Sequence, residues 1–160
     1  MPLLGVSKLP AHILHGDNFL VPNRLVELIA ELGASNVLEA NRHRLLASAT
    51  EPGELLIMSN ALPFLDDHRL IVVEGLLSMA ESQNQKRRRN SSVESKISTQ
   101  WQALGEAIPQ MPTTTIFIFT DGSINSNNPI LRILQPFSAV DELSAPSGES
   151  LARWVNSTVE

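Results

Sequence analysis

The stretch that decides the fold runs from Ala61 to Gly75 and reads ALPFLDDHRLIVVEG. Its second half contains Leu70 to Val73, a continuous run of aliphatic residues without the polar alternation of a half-exposed strand. Such a run is typical of a strand that is covered on both faces. The sequence therefore predicts that Leu70 to Val73 form a central strand of a parallel sheet.

The first half of the same stretch is an apolar turn, Leu62-Pro63-Phe64-Leu65, which we call the corner. Pro63 disfavours helical backbone at Leu62, so the helix predicted before it ends there and leaves a rigid turn. Composition keeps two alternatives open for its large side chains. They are either buried in the core of the domain or offered to a partner.

Length, charge and cysteine content limit the class of protein. The 160 residues suffice for one domain with its own core, and the lack of cysteine excludes disulfides and thiolate metal sites. Because the sequence has neither a signal peptide's pattern nor a stretch near the roughly 20 apolar residues of a membrane span, we expect a soluble cytoplasmic protein. The net charge of −5 means that any nucleic-acid contact is local.

Strands and helices alternate along the chain. This alternation predicts a three-layer α/β fold with a mainly parallel, five-stranded sheet. We expect Thr50 to cap the second helix, which has Pro52 in its first turn. Residues 41–50 are ambiguous between a loop and a helical turn. The predicted strands are 11–16, 36–40, 70–73, 113–120 and a short one at Val140, and the predicted helices are 19–32, 52–62, 94–108 and 129–134.

A polar segment follows the central strand, and we expect a mobile loop over about residues 81–94 because it offers little apolar surface to bury. It contains the basic cluster Lys86, Arg87, Arg88 and Arg89. This cluster is either a solvated loop or an arm that contacts nucleic-acid phosphates.

The end of the chain begins a new amphipathic pattern with Leu151, Trp154 and Val155, after a serine cap at Ser147 or Ser150. We therefore expect residues 1–145 to form one domain and residues 146–160 to begin the next domain of a longer polypeptide.

The turn after the first strand is where α/β folds of this class hold phosphates, on the N–H groups at a helix N-terminus. Here it reads HGDNFLVPNRL, residues 15–25. A phosphate loop needs a second glycine, a lysine and a hydroxyl residue, and all three are missing. Gly16 is then a structural turn, and Asp17 places a negative charge where phosphates would lie.

Other candidates for chemistry favour structural interpretations. Glu74 and Asp121 end strands without a phosphate loop to serve, and Asp121-Gly122 is foremost a turn signal. We expect no catalytic residue, no metal site and no cofactor. The four histidines lack metal-ligand spacing: His12, His15, His43 and His68.

The order of these motifs resembles the N-terminal domain of the delta subunit of bacterial DNA polymerase III, the clamp-loader wrench. The stretches that carry the resemblance are Leu14 to Leu20, Leu62 to Val73, Thr115 to Phe119 and Leu151 to Val155. They span most of the chain. The related delta-prime subunit would bring a zinc-binding cysteine cluster, which this sequence lacks.

The resemblance implies an AAA+-like domain that has lost its phosphate loop. It implies that the corner inserts into a pocket on the β sliding clamp and opens the ring, with Pro63 and Phe64 as the wedge and Leu62 and Leu65 beside it. Such a subunit does not hydrolyse ATP or catalyse by itself. It belongs to the DNA polymerase III holoenzyme, a nucleotidyltransferase complex, where it meets other loader subunits through C-terminal regions and DNA indirectly.

Two other functions stay open from the sequence. One is an active P-loop ATPase or other nucleotide-binding enzyme, which the missing lysine disfavours. The other is a generic α/β interaction domain whose corner is buried core.

Overall fold

A computed structural model describes residues 9–89, 96–145, 153 and 155–157 of the chain, with the backbone alone at 84, 86–89 and 96–100. No helix in these ranges is long and apolar enough to span a membrane. The described strands are β1 (Ala11–Gly16), β2 (Arg42–Leu46), β3 (Arg69–Glu74), β4 (Thr115–Asp121) and β5 (Ser138–Leu143), and the described helices are α1 (Leu20–Glu31), α2 (Pro52–Asn60), α3 (Leu76–Arg89), α4 (Lys96–Ala107) and α5 (Pro129–Leu134).

The strands form one five-stranded parallel sheet in the order β2-β3-β4-β1-β5. The central strand predicted from Leu70 to Val73 is confirmed, since β3 is hydrogen-bonded to β2 on one side and to β4 on the other. Parallel strands end at the same edge of the sheet. Loops that follow strands therefore lie at one end of the molecule, and loops that precede them lie at the other.

Each face of the sheet carries its own core, because successive side chains of a strand point to opposite faces. Leu70 and Val72 of β3 pack in a cluster with α1. Ile71 and Val73 pack in a larger cluster with α2, α3, α4 and α5. Helices on both faces of a parallel sheet make the three-layer α/β fold that the alternation predicts.

The second strand was placed wrongly by the sequence pattern. The prediction was 36–40, whereas β2 is Arg42–Leu46, inside the segment left as ambiguous. Val37 is buried, but it belongs to the loop that packs with α1. As an edge strand, β2 alternates half-buried with exposed residues and so accommodates two arginines, a composition that does not look like a core strand.

Two helix predictions also need correction. Thr50 does not cap α2, because its hydroxyl donates to the Leu46 carbonyl at 2.7 Å and the residue before the helix is Glu51. The polar segment does not begin as a loop at Glu81, because α3 continues through Arg89. Residues 90–95 and most of the predicted last helix lie outside the described residues.

Candidate functional site

The corner lies between the end of α2 and the start of β3, at the amino end of the strands. Its large side chains face solvent: Leu62 is 70% exposed, Phe64 63% and Leu65 81%. Single exposed apolar residues are common, but three within four consecutive positions form a patch that soluble domains usually keep for a partner. The alternative in which the corner is buried core is therefore wrong.

The backbone of the corner is fixed by Asn41, which is fully buried. The side-chain amide of Asn41 donates to the Phe64 carbonyl at 2.8 Å, and its oxygen accepts from the Phe64 N–H at 2.6 Å. Asn41 ends a short 3-10 turn, Glu39–Asn41, immediately before β2. The adjacent strands β2 and β3 thus bring this amide beside the corner, and both backbone groups of Phe64 are satisfied.

Arg69, the first residue of β3, holds the start of the corner. Its Nη2 donates to the Leu62 carbonyl at 3.2 Å, and its Nη1 lies 2.6 Å from Nε2 of His43 on β2. Arginine can only donate, so His43 accepts through an unprotonated nitrogen. Burial, reinforced by the charge of Arg69, lowers the pKa of His43 and favours that neutral form.

Asp66 holds the end of the corner. Its carboxylate accepts from the Leu38 N–H at 2.7 Å and from the Asp67 N–H at 2.8 Å. The bond from Leu38 is the main cause that lowers the pKa of Asp66. The corner is therefore tied at three points to residues that precede or begin the two neighbouring strands.

Leu65 has a φ of +51°, in the left-handed region that residues with a Cβ avoid. A leucine in this conformation is unfavourable by about 1 kcal/mol or more and persists only where surrounding bonds determine the backbone. The bonds of Asn41 and Asp66 flank it on either side. The corner is a constrained turn.

The opposite, carboxyl end of the sheet contains the turn at which a nucleotide would be expected. Gly16 has a φ of +130°, and a Cβ placed there would lie 1.9 Å from the Leu143 carbonyl oxygen. The Gly16 N–H donates to the Gly122 carbonyl and the Asp17 N–H to the Leu143 carbonyl, at 3.1 and 2.7 Å. A glycine is therefore required at position 16 by the close approach of the Leu143 carbonyl at the end of β5.

The N-terminus of α1 is already bonded to a negatively charged side chain. The Asp17 carboxylate accepts from the Phe19 N–H at 2.8 Å and from the Leu20 N–H at 3.1 Å. These are backbone groups of the kind that bind phosphate at a helix N-terminus. In this chain an internal carboxylate binds them.

Asp121 and Glu74 line a crevice of about 240 Å³ at this end of the sheet. The buried Asp121 carboxylate accepts from the N–H groups of Leu77 and Ser78, at 2.8 and 3.1 Å, and so caps α3. Glu74 pairs with Arg44 of β2. Both carboxylates therefore have partners within the protein.

The remaining candidates do not assemble into a site. Within residues 9–89 and 96–145, no three acidic or histidine side chains are placed to hold a metal ion. His12 and His15 are buried on β1, and burial lowers the pKa of His12. Lys86, Arg87, Arg88 and Arg89 form the last turn of α3, where the backbone alone is described.

Asn41 is the residue that sequence reasoning missed. It began the segment that the pattern left ambiguous, and nothing in its neighbours indicates a bond to Phe64, 23 positions away. A fully buried asparagine before an edge strand becomes informative only once its partner is known.

Comparisons with known proteins support the fold. Neither a protein-family model nor a curated protein matches the sequence. Among solved structures, the Bacillus subtilis DNA clamp loader delta protein (YqeN) matches with a TM-score of 0.61 and 13% identity, over 86% of this chain and 39% of that one. A DNA polymerase III gamma subunit-related protein from Thermotoga maritima matches with a TM-score of 0.53 and 9% identity, over 94% of this chain and 46% of that one.

The chain therefore spans less than half the length of either of these two proteins. At identities of 13% and 9%, these matches establish the fold alone. That fold is a five-stranded parallel sheet with flanking helices.

Proposed function

We propose that this chain is the N-terminal domain of a delta-type clamp-loader subunit, whose corner binds the sliding clamp and opens the ring during DNA replication. The observation that carries the proposal is the exposure of Leu62, Phe64 and Leu65 on a turn tied in place by Asn41, Arg69 and Asp66. The fold shared with clamp-loader proteins and the order of sequence motifs support it.

The energetics of the corner suit such an interface. Burying a leucine or phenylalanine side chain contributes about 1.5 to 3 kcal/mol, so Phe64 and a neighbouring leucine suffice for a hot spot. Opening the ring needs no chemistry at the corner. A domain that binds the distorted clamp more tightly than the closed clamp shifts the clamp population toward the open form.

The carboxyl end of the sheet supports a role without ATP hydrolysis. The backbone N–H groups of Gly16, Asp17, Phe19 and Leu20 all have partners within the protein. A phosphate would have to displace the Asp17 carboxylate, which is of the same charge. In this proposal, other loader subunits bind and hydrolyse ATP.

The longer clamp-loader proteins suggest how the chain fits its assembly. We propose that residues 1–145 form the clamp-binding domain, that residues 146–160 begin the linker or lid domain, and that the other loader subunits are contacted through regions C-terminal to this chain. The place of action is the cytoplasmic replisome. Contact with DNA is indirect, and the positive charge of Lys86 to Arg89 suits an arm that contacts DNA phosphates.

The test compares two phenylalanines of similar exposure at opposite ends of the sheet. Phe64 is 63% exposed in the corner, and Phe19 is 66% exposed beside the start of α1. We expect Phe64→Ala to weaken binding to the sliding clamp of the same organism by about 30-fold, the size of a hot-spot loss. Phe19→Ala should leave the affinity unchanged, as measured by surface plasmon resonance.

The same pair of variants decides between the proposal and its rivals. Phe64→Ala should change the free energy of unfolding by no more than about 0.5 kcal/mol, because the ring is exposed. A loss of about 3 to 5 kcal/mol would instead indicate a buried core residue. Absence of clamp binding by the unsubstituted chain would refute the proposal, and calorimetric binding of ATP would favour the nucleotide-binding alternative.

A further inference from the structure

We propose that Asn41 is a positioning residue for the corner, and that its side chain determines clamp affinity without touching the clamp. The inference rests on the proposed function and names the group that makes the corner competent to bind. One buried amide forms hydrogen bonds of 2.8 and 2.6 Å with the carbonyl and the N–H of the residue that carries the exposed ring.

The side-chain amide of Asn41 bonds both the N–H and the carbonyl of Phe64, as the backbone of a neighbouring strand would. An unpaired backbone N–H or carbonyl is driven toward water or toward another partner, so a turn that lacks partners samples several conformations. With both groups bonded to Asn41, the backbone of Phe64 is held close to the protein. The side chain of Phe64 is left exposed.

Leu65 shows why an anchor is needed. Its left-handed backbone, with φ of +51°, follows directly after the residue that Asn41 holds. Without the two bonds, the chain would relax toward conformations that leucine prefers, and these would redirect the side chains on either side. Asn41 therefore holds the corner in a conformation that the local sequence does not favour.

A preorganised turn binds more tightly because ordering it costs nothing at the moment of binding. The apparent dissociation constant equals the intrinsic one divided by the fraction of molecules in the competent conformation. If loss of Asn41 reduces that fraction to about one tenth, the apparent dissociation constant rises about tenfold. None of the residues that would meet the clamp has then been changed.

The chain offers a matched control in Asn128. This asparagine is also buried, and its side chain also bonds backbone groups: Nδ2 donates to the Leu77 carbonyl at 2.9 Å and Oδ1 accepts from the Ile130 N–H at 3.0 Å. It caps α5, which packs on α3 and α4. Replacing it removes the same kind of bonds without altering those of the corner.

The experiment measures clamp affinity and the hydrogen exchange rate of the Phe64 amide in the unsubstituted chain, Asn41→Ala and Asn128→Ala. We expect Asn41→Ala to raise the dissociation constant about tenfold and to accelerate exchange of the Phe64 amide at least tenfold. Asn128→Ala should lower stability while leaving both values unchanged. Unchanged affinity in Asn41→Ala, or an equal loss in Asn128→Ala, would overturn the inference.

Two further measurements keep the inference testable if Asn41→Ala does not fold. Asn41→Asp is isosteric and keeps the acceptor for the Phe64 N–H. It places a carboxylate oxygen, which cannot donate, next to the Phe64 carbonyl, so it should also weaken clamp binding. In the unsubstituted chain the Phe64 amide should exchange slowly although its ring is exposed. Exchange as fast as in an unstructured peptide contradicts the role of Asn41 whatever the clamp does, whereas failure of the intact chain to bind the clamp refutes only the proposed function.

Discussion

At each end of the sheet a polar side chain bonds the backbone of a turn that carries an exposed phenylalanine, but the groups left accessible at the two ends differ. At the amino end, the Asn41 side chain bonds the N–H and carbonyl of Phe64. At the carboxyl end, the Asp17 side chain bonds the N–H groups of Phe19 and Leu20. At the amino end, these bonds pair the backbone of Phe64 while its apolar side chain stays exposed. At the carboxyl end, they occupy the N–H groups that a phosphate would bind. Two short polar side chains thus account for the difference between the two ends.

The largest effect that tests this comparison is expected at Gly16. Gly16→Ala places a methyl group against the Leu143 carbonyl at a backbone angle that favours glycine, so we expect a loss of about 3 kcal/mol or more in the free energy of unfolding. Gly53→Ala is the control, because a Cβ there meets nothing within 4 Å. Gly53 lies within α2, where alanine is favoured over glycine by about 0.5 to 1 kcal/mol.

Denaturant unfolding of both glycine variants provides the measurement. If Gly16→Ala were as stable as the unsubstituted chain, the turn at Gly16 would have room for a Cβ. The close contact between this turn and the Leu143 carbonyl would then be wrong. The contrast between a closed turn at the carboxyl end and an exposed corner at the amino end would then fail.

A smaller effect is expected at the corner itself. Leu65→Gly relieves the left-handed strain at φ of +51°, and the leucine side chain it removes is already exposed. We expect the free energy of unfolding to rise by about 1 kcal/mol while clamp affinity falls, because an apolar contact is lost. Such opposite signs are typical of a site that stores strain for recognition.

Calorimetric unfolding and a clamp-binding titration on the same preparation of Leu65→Gly check both signs. A decrease in stability would show that the backbone at residue 65 is unstrained. The corner would then owe its shape to its own sequence rather than to its anchors.

The smallest effect is a pH dependence at Asp66. Its pKa is lowered from 3.8, chiefly by the N–H of Leu38, so its bond is fully formed above pH 3.8 and is lost as the pH falls through the lower folded-state value. We expect the Leu38 amide resonance to titrate with a midpoint below 3.8. Asp66→Asn should abolish that transition, and a midpoint at or above 3.8 would show that the bond from the Leu38 N–H does not stabilise the Asp66 carboxylate.

The fold could be predicted where burial is complete. β3 and β4 are continuous apolar runs because both faces of the sheet are covered, and α5 begins at Pro129 as its sequence indicates. β2 was misplaced because an edge strand has fewer neighbours and tolerates arginines. The continuation of α3 into a polar sequence is not apparent from apolar content, although helix propensity is high for glutamine, lysine and arginine.

The site was predictable in part. Pro63 and the apolar residues around it identify the corner as a rigid turn, but exposure depends on what packs against it, and composition left that question open. The anchors were not predictable, because the bonds from Asn41 and Asp66 join segments that are 23 and 28 positions apart. Such pairings follow from the parallel arrangement of β2 and β3, which the misplaced second strand concealed.

One feature of the corner gives it a practical use. Since the turn at Phe64 is maintained by main-chain bonds to Asn41, its geometry does not depend on the chemical nature of the side chain at position 64. That position is an interchangeable tip, at which a photo-crosslinking or fluorinated aromatic amino acid can be introduced without rebuilding the scaffold. A probe at position 64 would report contact with any protein that binds the corner, including a partner not selected beforehand.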